Sequence, residues 1–135
     1  MFHSPWIHTM LRCALTALLS LTLALPALAQ TSRPFPATAL RGTLVVTQPP
    51  EAVLNEQSAR LSPGSRIRGP NNMVLMSGAL VGQALLVHYT LDPTGLVHDV
   101  WILTPDEIAK KPWPSTAEQA RAWVFSPMTQ TWAKP

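Results

Sequence analysis

The chain has 135 residues, with ten Lys or Arg against seven Asp or Glu, a formal net charge of +3, and one cysteine. That length bounds it to one small domain. So slight a charge imbalance argues against a nucleic-acid partner, and a lone thiol rules out an internal disulfide framework.

In chain order, the first 29 residues read as an export leader. Arg12 supplies a positive start, Cys13 to Leu25 form a 13-residue apolar run, and Ala27-Leu28-Ala29 follows Pro26. This is the design of a cleaved secretory signal peptide; a bilayer span needs roughly 20 apolar residues. Cleavage after Ala29 places the protein in the periplasm or outside the cell, without a stable membrane span. It also removes Cys13, so residues 30–135 carry no thiol nucleophile or thiolate metal ligand. Residues 30–41 are polar and proline-punctuated and read as a flexible lead-in. Residues 42–135 form a single β-rich domain.

Thr43–Gln48 is the first strand candidate, four β-branched residues and a leucine before Pro49-Pro50. Ala52–Leu54 and Ser58–Leu61 flank Asn55-Glu56-Gln57, a short hairpin with Asn55 suited to positive φ. Ser62-Pro63-Gly64 reads as a turn and Arg66–Arg68 as a short edge strand. Arg60, Arg66 and Arg68 are the one basic cluster, read as a solvated face rather than an anion site. Met73–Met76 reads as a buried strand, and Ser77-Gly78 and Gly82 bracket Ala79–Val81.

The strongest signal is the hairpin Gln83–Leu103, two β-rich runs around Asp92-Pro93-Thr94-Gly95. Both arms are apolar on both faces, which makes the hairpin central, covered by strands on one side and C-terminal helices on the other. Thr104-Pro105-Asp106-Glu107 then opens a helix to about Lys111. Ser115-Thr116-Ala117-Glu118 opens a second, to about Phe125, with Ala117, Ala120 and Val124 as its apolar stripe. Residues 128–135 stay unassigned, with Trp132 docked. The fold expected is mainly β, a small antiparallel, sandwich-like sheet with two short C-terminal helices; the alternative is α+β.

Few residues offer chemistry. His88 and His98 lie on opposite arms of the hairpin. If paired positions sum to 188 they share a face, as a two-histidine metal site would need; a sum of 187 sets His88 opposite Asp99, a pair suited to acid–base work. The turn favours the first register. Against both stands the plainer reading, two hydrogen-bonded or exposed strand histidines. No nucleophile elbow, carboxylate pair, phosphate loop or dinucleotide fingerprint occurs, so the reading leans away from an enzyme and names no catalytic residue and no cofactor. Trp113, held between Pro112 and Pro114, is either a partner-contacting aromatic or a cap over the sheet.

Two resemblances add expectations. Gly42 to Glu107 resembles a group of small exported bacterial proteins without assigned activity. The distinctive pieces are Gly64-Ser65-Arg66-Ile67-Arg68, Ser77-Gly78-Ala79-Leu80-Val81-Gly82 and the YTLDPTGLVHDVWILTPDE hairpin. Gly82, His88–Leu91, Asp92–Gly95, Val97–Leu103 and Trp123-Val124-Phe125-Ser126-Pro127 look like the C-terminal domain of TonB-type energy-coupling proteins. That likeness implies an α+β domain that binds envelope partners by strand addition. The leading expectation is a non-enzymatic binding or structural module of the cell envelope. Its rivals are a metal binder using His88 and His98, a TonB-like partner domain, and an enzyme whose residues are not assembled in the sequence.

Overall fold

The computed structural model describes residues 32–135; the expected leader and its cleavage point lie outside them. The chain is mainly β. Strands β1 (Leu40–Gln48), β2 (Glu51–Leu54), β3 (Gln57–Arg68), β4 (Val74–Leu75), β5 (Ala84–Leu91) and β6 (Val97–Ile102) share one sheet. A single turn of 3₁₀ helix (Ser77–Leu80) precedes β5, and two short helices follow β6: α1 (Pro105–Ala109) and α2 (Ala117–Ala122). The chain ends in a two-stranded ribbon, β7 (Val124–Ser126) and β8 (Thr131–Ala133).

The sheet closes on itself instead of stacking two layers. β1 pairs antiparallel with β2 and β5, β2 with β3, and β5 with β6. The parallel pairing of β3 with β6 completes a five-stranded ring, from which β4 hangs on the far edge of β3. This connectivity is that of an OB-type Greek-key barrel. Alternation along β1 explains the closure: Leu40, Leu44 and Val46 face inward and are buried. They meet Leu61, Ile67, Val87, Tyr89, Val97 and Val100, with Leu80 from the 3₁₀ turn. Gly42 belongs to the same wall, and a Cβ there would stand 2.6 Å from Asn55 Oδ1. That close approach lets the Asn55 side chain accept from the Thr43 N–H at 2.9 Å and lock the β2–β3 turn onto β1.

Local signals read correctly where they were local. Asn55 and Glu56 both take positive φ (51° and 66°), as a two-residue hairpin turn requires. Asp92 Oδ1 accepts from the Thr94 and Leu96 amides, each at 2.9 Å, and Gly95 has φ +86°. The Thr104 hydroxyl and the Glu107 side chain form the expected reciprocal cap of α1.

Several expectations are corrected. Ser62-Pro63-Gly64 is not a chain reversal but a bulge inside β3, seated in the register gap between Leu61 and Arg66. Ile67 and Arg68 are paired on both sides, with β4 and β6, so that segment is no edge. Met73, Val74 and Met76 are exposed, at 64%, 63% and 78%; only β4 itself is strand. Thr116, one residue later than expected, caps α2 and accepts from the Gln119 amide. That helix ends at Ala122, because Val124–Ser126 pairs with Thr131–Ala133 and leaves Val124 exposed. From Ser32 on, the lead-in is docked, not flexible: Phe35 and Ala39 are buried, and the Phe35 amide donates to Gln130 Oε1 at 2.8 Å.

Candidate functional site

Three regions gather polar or exposed apolar groups: a layer outside the barrel around His88, a contact between β3 and β6 at His98, and a groove beside β4.

The outward face of β5 and β6 is covered by the lead-in and the C-terminal segment. Phe35, Ala39, Trp101, Leu103, Trp113 and Trp132 form a second buried cluster there. His88 is fully buried within it. Trp113 stacks on the imidazole at 4.0 Å between centroids, and Phe35 meets it edge-on at 4.4 Å. Trp113 itself is buried and its indole N–H donates to the Ala39 carbonyl at 3.0 Å, so it caps the sheet and offers little surface to a partner. The flanking Pro112 and Pro114 keep this segment out of the helices on either side of it.

Arg41 joins this layer to α1. Its Nε–H donates to His88 Nε2 at 3.1 Å. Its remaining nitrogens donate to the carbonyls of Glu107, Ile108 and Lys110, the open C-terminal end of the helix. Because His88 Nε2 accepts, the ring proton sits on Nδ1, which has no hydrogen-bond partner among the described residues. Burial, then the charges of Arg41 and Arg33, pushes the imidazole down to about 3, and it stays neutral. Beside it Arg33 and Glu107 form a nearly buried ion pair. Burial works to raise the Glu107 carboxyl, but hydrogen bonds from Arg33 and Thr104 hold it below its ordinary value. Arg33 also donates to the Gly69 and Ile102 carbonyls, pinning the lead-in to the barrel.

His98 stands in different surroundings. The hairpin follows the 188 register at its tip, where Leu91 faces Val97, then shifts by one so that Tyr89 faces Val100 and His88 faces Trp101. His98 and Asp99 are the two bulged residues opposite Thr90, whose hydroxyl takes the Asp99 amide at 3.1 Å. Neither expected register therefore runs the length of the hairpin. His98 is exposed, and its Nδ1 lies 2.9 Å from Ser62 Oγ. The two histidines are not brought to a common point: an arginine occupies Nε2 of one and a serine Nδ1 of the other. Among the described residues no group of three or more His, Cys, Asp or Glu side chains converges as metal ligands would. Of the basic cluster, Arg60 pairs with Glu51 at 3.1 Å and Arg68 with Asp99 at 3.6 Å.

The sequence reading missed the Ser62–His98 contact and the groove. The first joins residues 36 apart through the parallel Leu61–Val97 pairing. The groove, about 440 Å³, runs between Pro49-Pro50 and β4, with Ser62, Pro63, Ser65 and Ile67 of β3 as its floor. The β2 ladder stops at Arg60, the Leu61 N–H donates to the Pro50 carbonyl at 2.8 Å, and the β4 ladder begins at Ile67, so the backbone from Ser62 to Arg66 has no ladder partner on this side. The one sequence signal for it was Pro63, a residue that strand interiors tolerate only at bulges and edges. Compared with protein-family models, with curated proteins and with solved structures, the chain matches none.

Proposed function

We propose that this chain is a non-enzymatic binding module of the cell envelope, and that its groove receives an extended segment of a partner protein. The observation that supports this reading is the coincidence of two features. The groove is walled by Pro49, Pro50, Val74 and Met76, without a charged side chain, and its floor, from Ser62 to Ser65, is strand backbone outside the β2 and β4 ladders. An extended peptide satisfies both at once, through ladder bonds to the floor and apolar side chains against the walls. The position agrees with the fold, since OB-type barrels bind ligands beside the loop between their first two strands and across their third. Agreement of position is analogy, and the groove chemistry carries the weight.

Capture from an envelope extract tests it, using the full chain, a Ser65→Arg variant that fills the groove, and an Arg121→Ala control away from it. A partner held by the full chain and the control, and lost with Ser65→Arg at unchanged melting temperature, supports the reading. Equal retention by all three sinks it. The 2.9 Å contact between Ser62 Oγ and His98 Nδ1 favours a second reading, acyl-transfer chemistry with Ser62 as nucleophile and His98 as base. Ester turnover abolished by Ser62→Ala would put that reading first.

A further inference from the structure

A second surface, the outer edge of β4, shares Val74 and Met76 with the wall of the groove but uses the outward backbone of that strand, which the groove reading does not. Among the described residues nothing pairs with β4 beyond β3. The Gly69 amide donates to the Met73 carbonyl at 2.9 Å, and Ile67 faces Leu75, so the odd-numbered residues bond inward to β3. By antiparallel alternation, Val74, which faces Arg68, turns its own N–H and C=O outward. An open edge of this kind is a template for another strand, and proteins ordinarily blunt it with charged side chains. Here the chain carries no Asp, Glu, Lys or Arg from Gly69 to Leu91. The side chains around the edge, Met73, Val74 and Met76, are instead apolar and largely exposed.

We infer that this edge pairs with the same edge of a second copy of the chain, the two β4 strands running antiparallel about a two-fold axis at Val74. Antiparallel pairing is self-complementary, so each Val74 N–H donates to the partner's Val74 carbonyl, a matched pair of hydrogen bonds from one residue. Charge favours a copy over a charged foreign chain. A charge-free edge brings no like charges together on self-pairing, and it gives a charged partner nothing to recognise. The apolar side chains of the two copies then lie side by side, which removes them from water.

The test needs three forms of the full chain in sedimentation and cross-linking. The unaltered chain is expected to dimerise reversibly with rising concentration. Val74→Pro removes only an outward N–H, so the fold keeps its melting temperature while both intersubunit hydrogen bonds vanish, and dimerisation weakens about a hundredfold. Val74→Cys in a Cys13→Ser background is expected to form an intermolecular disulfide, since hydrogen-bonded antiparallel partners stand about 5.5 Å apart at Cα. A chain that stays monomeric at every concentration overturns the inference. So does a dimer indifferent to Val74→Pro, or one in which the introduced cysteines do not cross-link.

Discussion

Inside the ring the buried side chains are aliphatic apart from Tyr89, whereas the layer outside it is built from Phe35, Trp101, Trp113 and Trp132 around a histidine and two arginines. The interior asks little of any single residue beyond apolarity, volume and inward alternation. The outer layer asks for specific partners: a carbonyl for the Trp113 indole, a carboxylate for Arg33, a helix end for Arg41. Two ways of burying surface thus meet on opposite faces of the same strands. The contrast teaches that polar burial here serves attachment, since its hydrogen bonds tie the lead-in and the C-terminal segment to a barrel that closes without them.

Four measurements would break or sharpen that contrast. The largest effect is expected from Trp113→Ala, which removes the ring stacked on His88 and should cost about 3–5 kcal/mol in denaturant unfolding. A loss under about 1 kcal/mol would mean that the outer layer merely drapes the barrel. Next, Glu107→Gln leaves the Arg33 guanidinium without its counter-charge in a nearly dry site and should cost about 3 kcal/mol. Part of that loss should return in the double variant with Arg33→Met, by the same measurement.

The third concerns pH. The His88 imidazole is held at about 3 in the folded chain and titrates near its ordinary 6.5 when unfolded. Between those values the unfolded chain binds a proton that the folded chain refuses. Stability is therefore full above about pH 6.5 and falls as acid is added, by about 3 kcal/mol between pH 7 and pH 4. Glu107, held below its ordinary value, loses stability in the same direction at lower pH. His88→Gln keeps an acceptor for Arg41 but does not titrate, so its stability should change less over that range; an unchanged pH profile would show that His88 protonates without unfolding the layer. The smallest effect belongs to the interior: Leu44→Val removes one methylene and should cost about 1 kcal/mol, read from the unfolding midpoint.

Legibility in the sequence followed the same division. Asp92 and Thr104 act on atoms within four residues of themselves, and Asn55 bends the chain through its own positive φ, so the β2–β3 turn, the β5–β6 turn and the α1 cap were all readable. Met73–Met76 misled because an apolar run signals burial on average, while this one lies on an open edge. Val124 misled because a helical stripe and a short strand look alike until the partner strand Thr131–Ala133 is in place. The histidine register failed for a similar reason: the tip obeyed the turn, and a bulge two residues on reversed the parity.

Of the candidate sites, His88 and Trp113 were singled out from the sequence, but their meeting was not visible there, nor was Arg41 between them and α1. Turns, caps and the alternation of β1 were determined by the amino-acid order itself, because each depends on neighbours in the chain. The ring closure through β3 and β6, the sealing of His88 and the groove beside β4 were decided only by tertiary structure, because each is made by groups far apart in sequence whose encounter no local rule specifies.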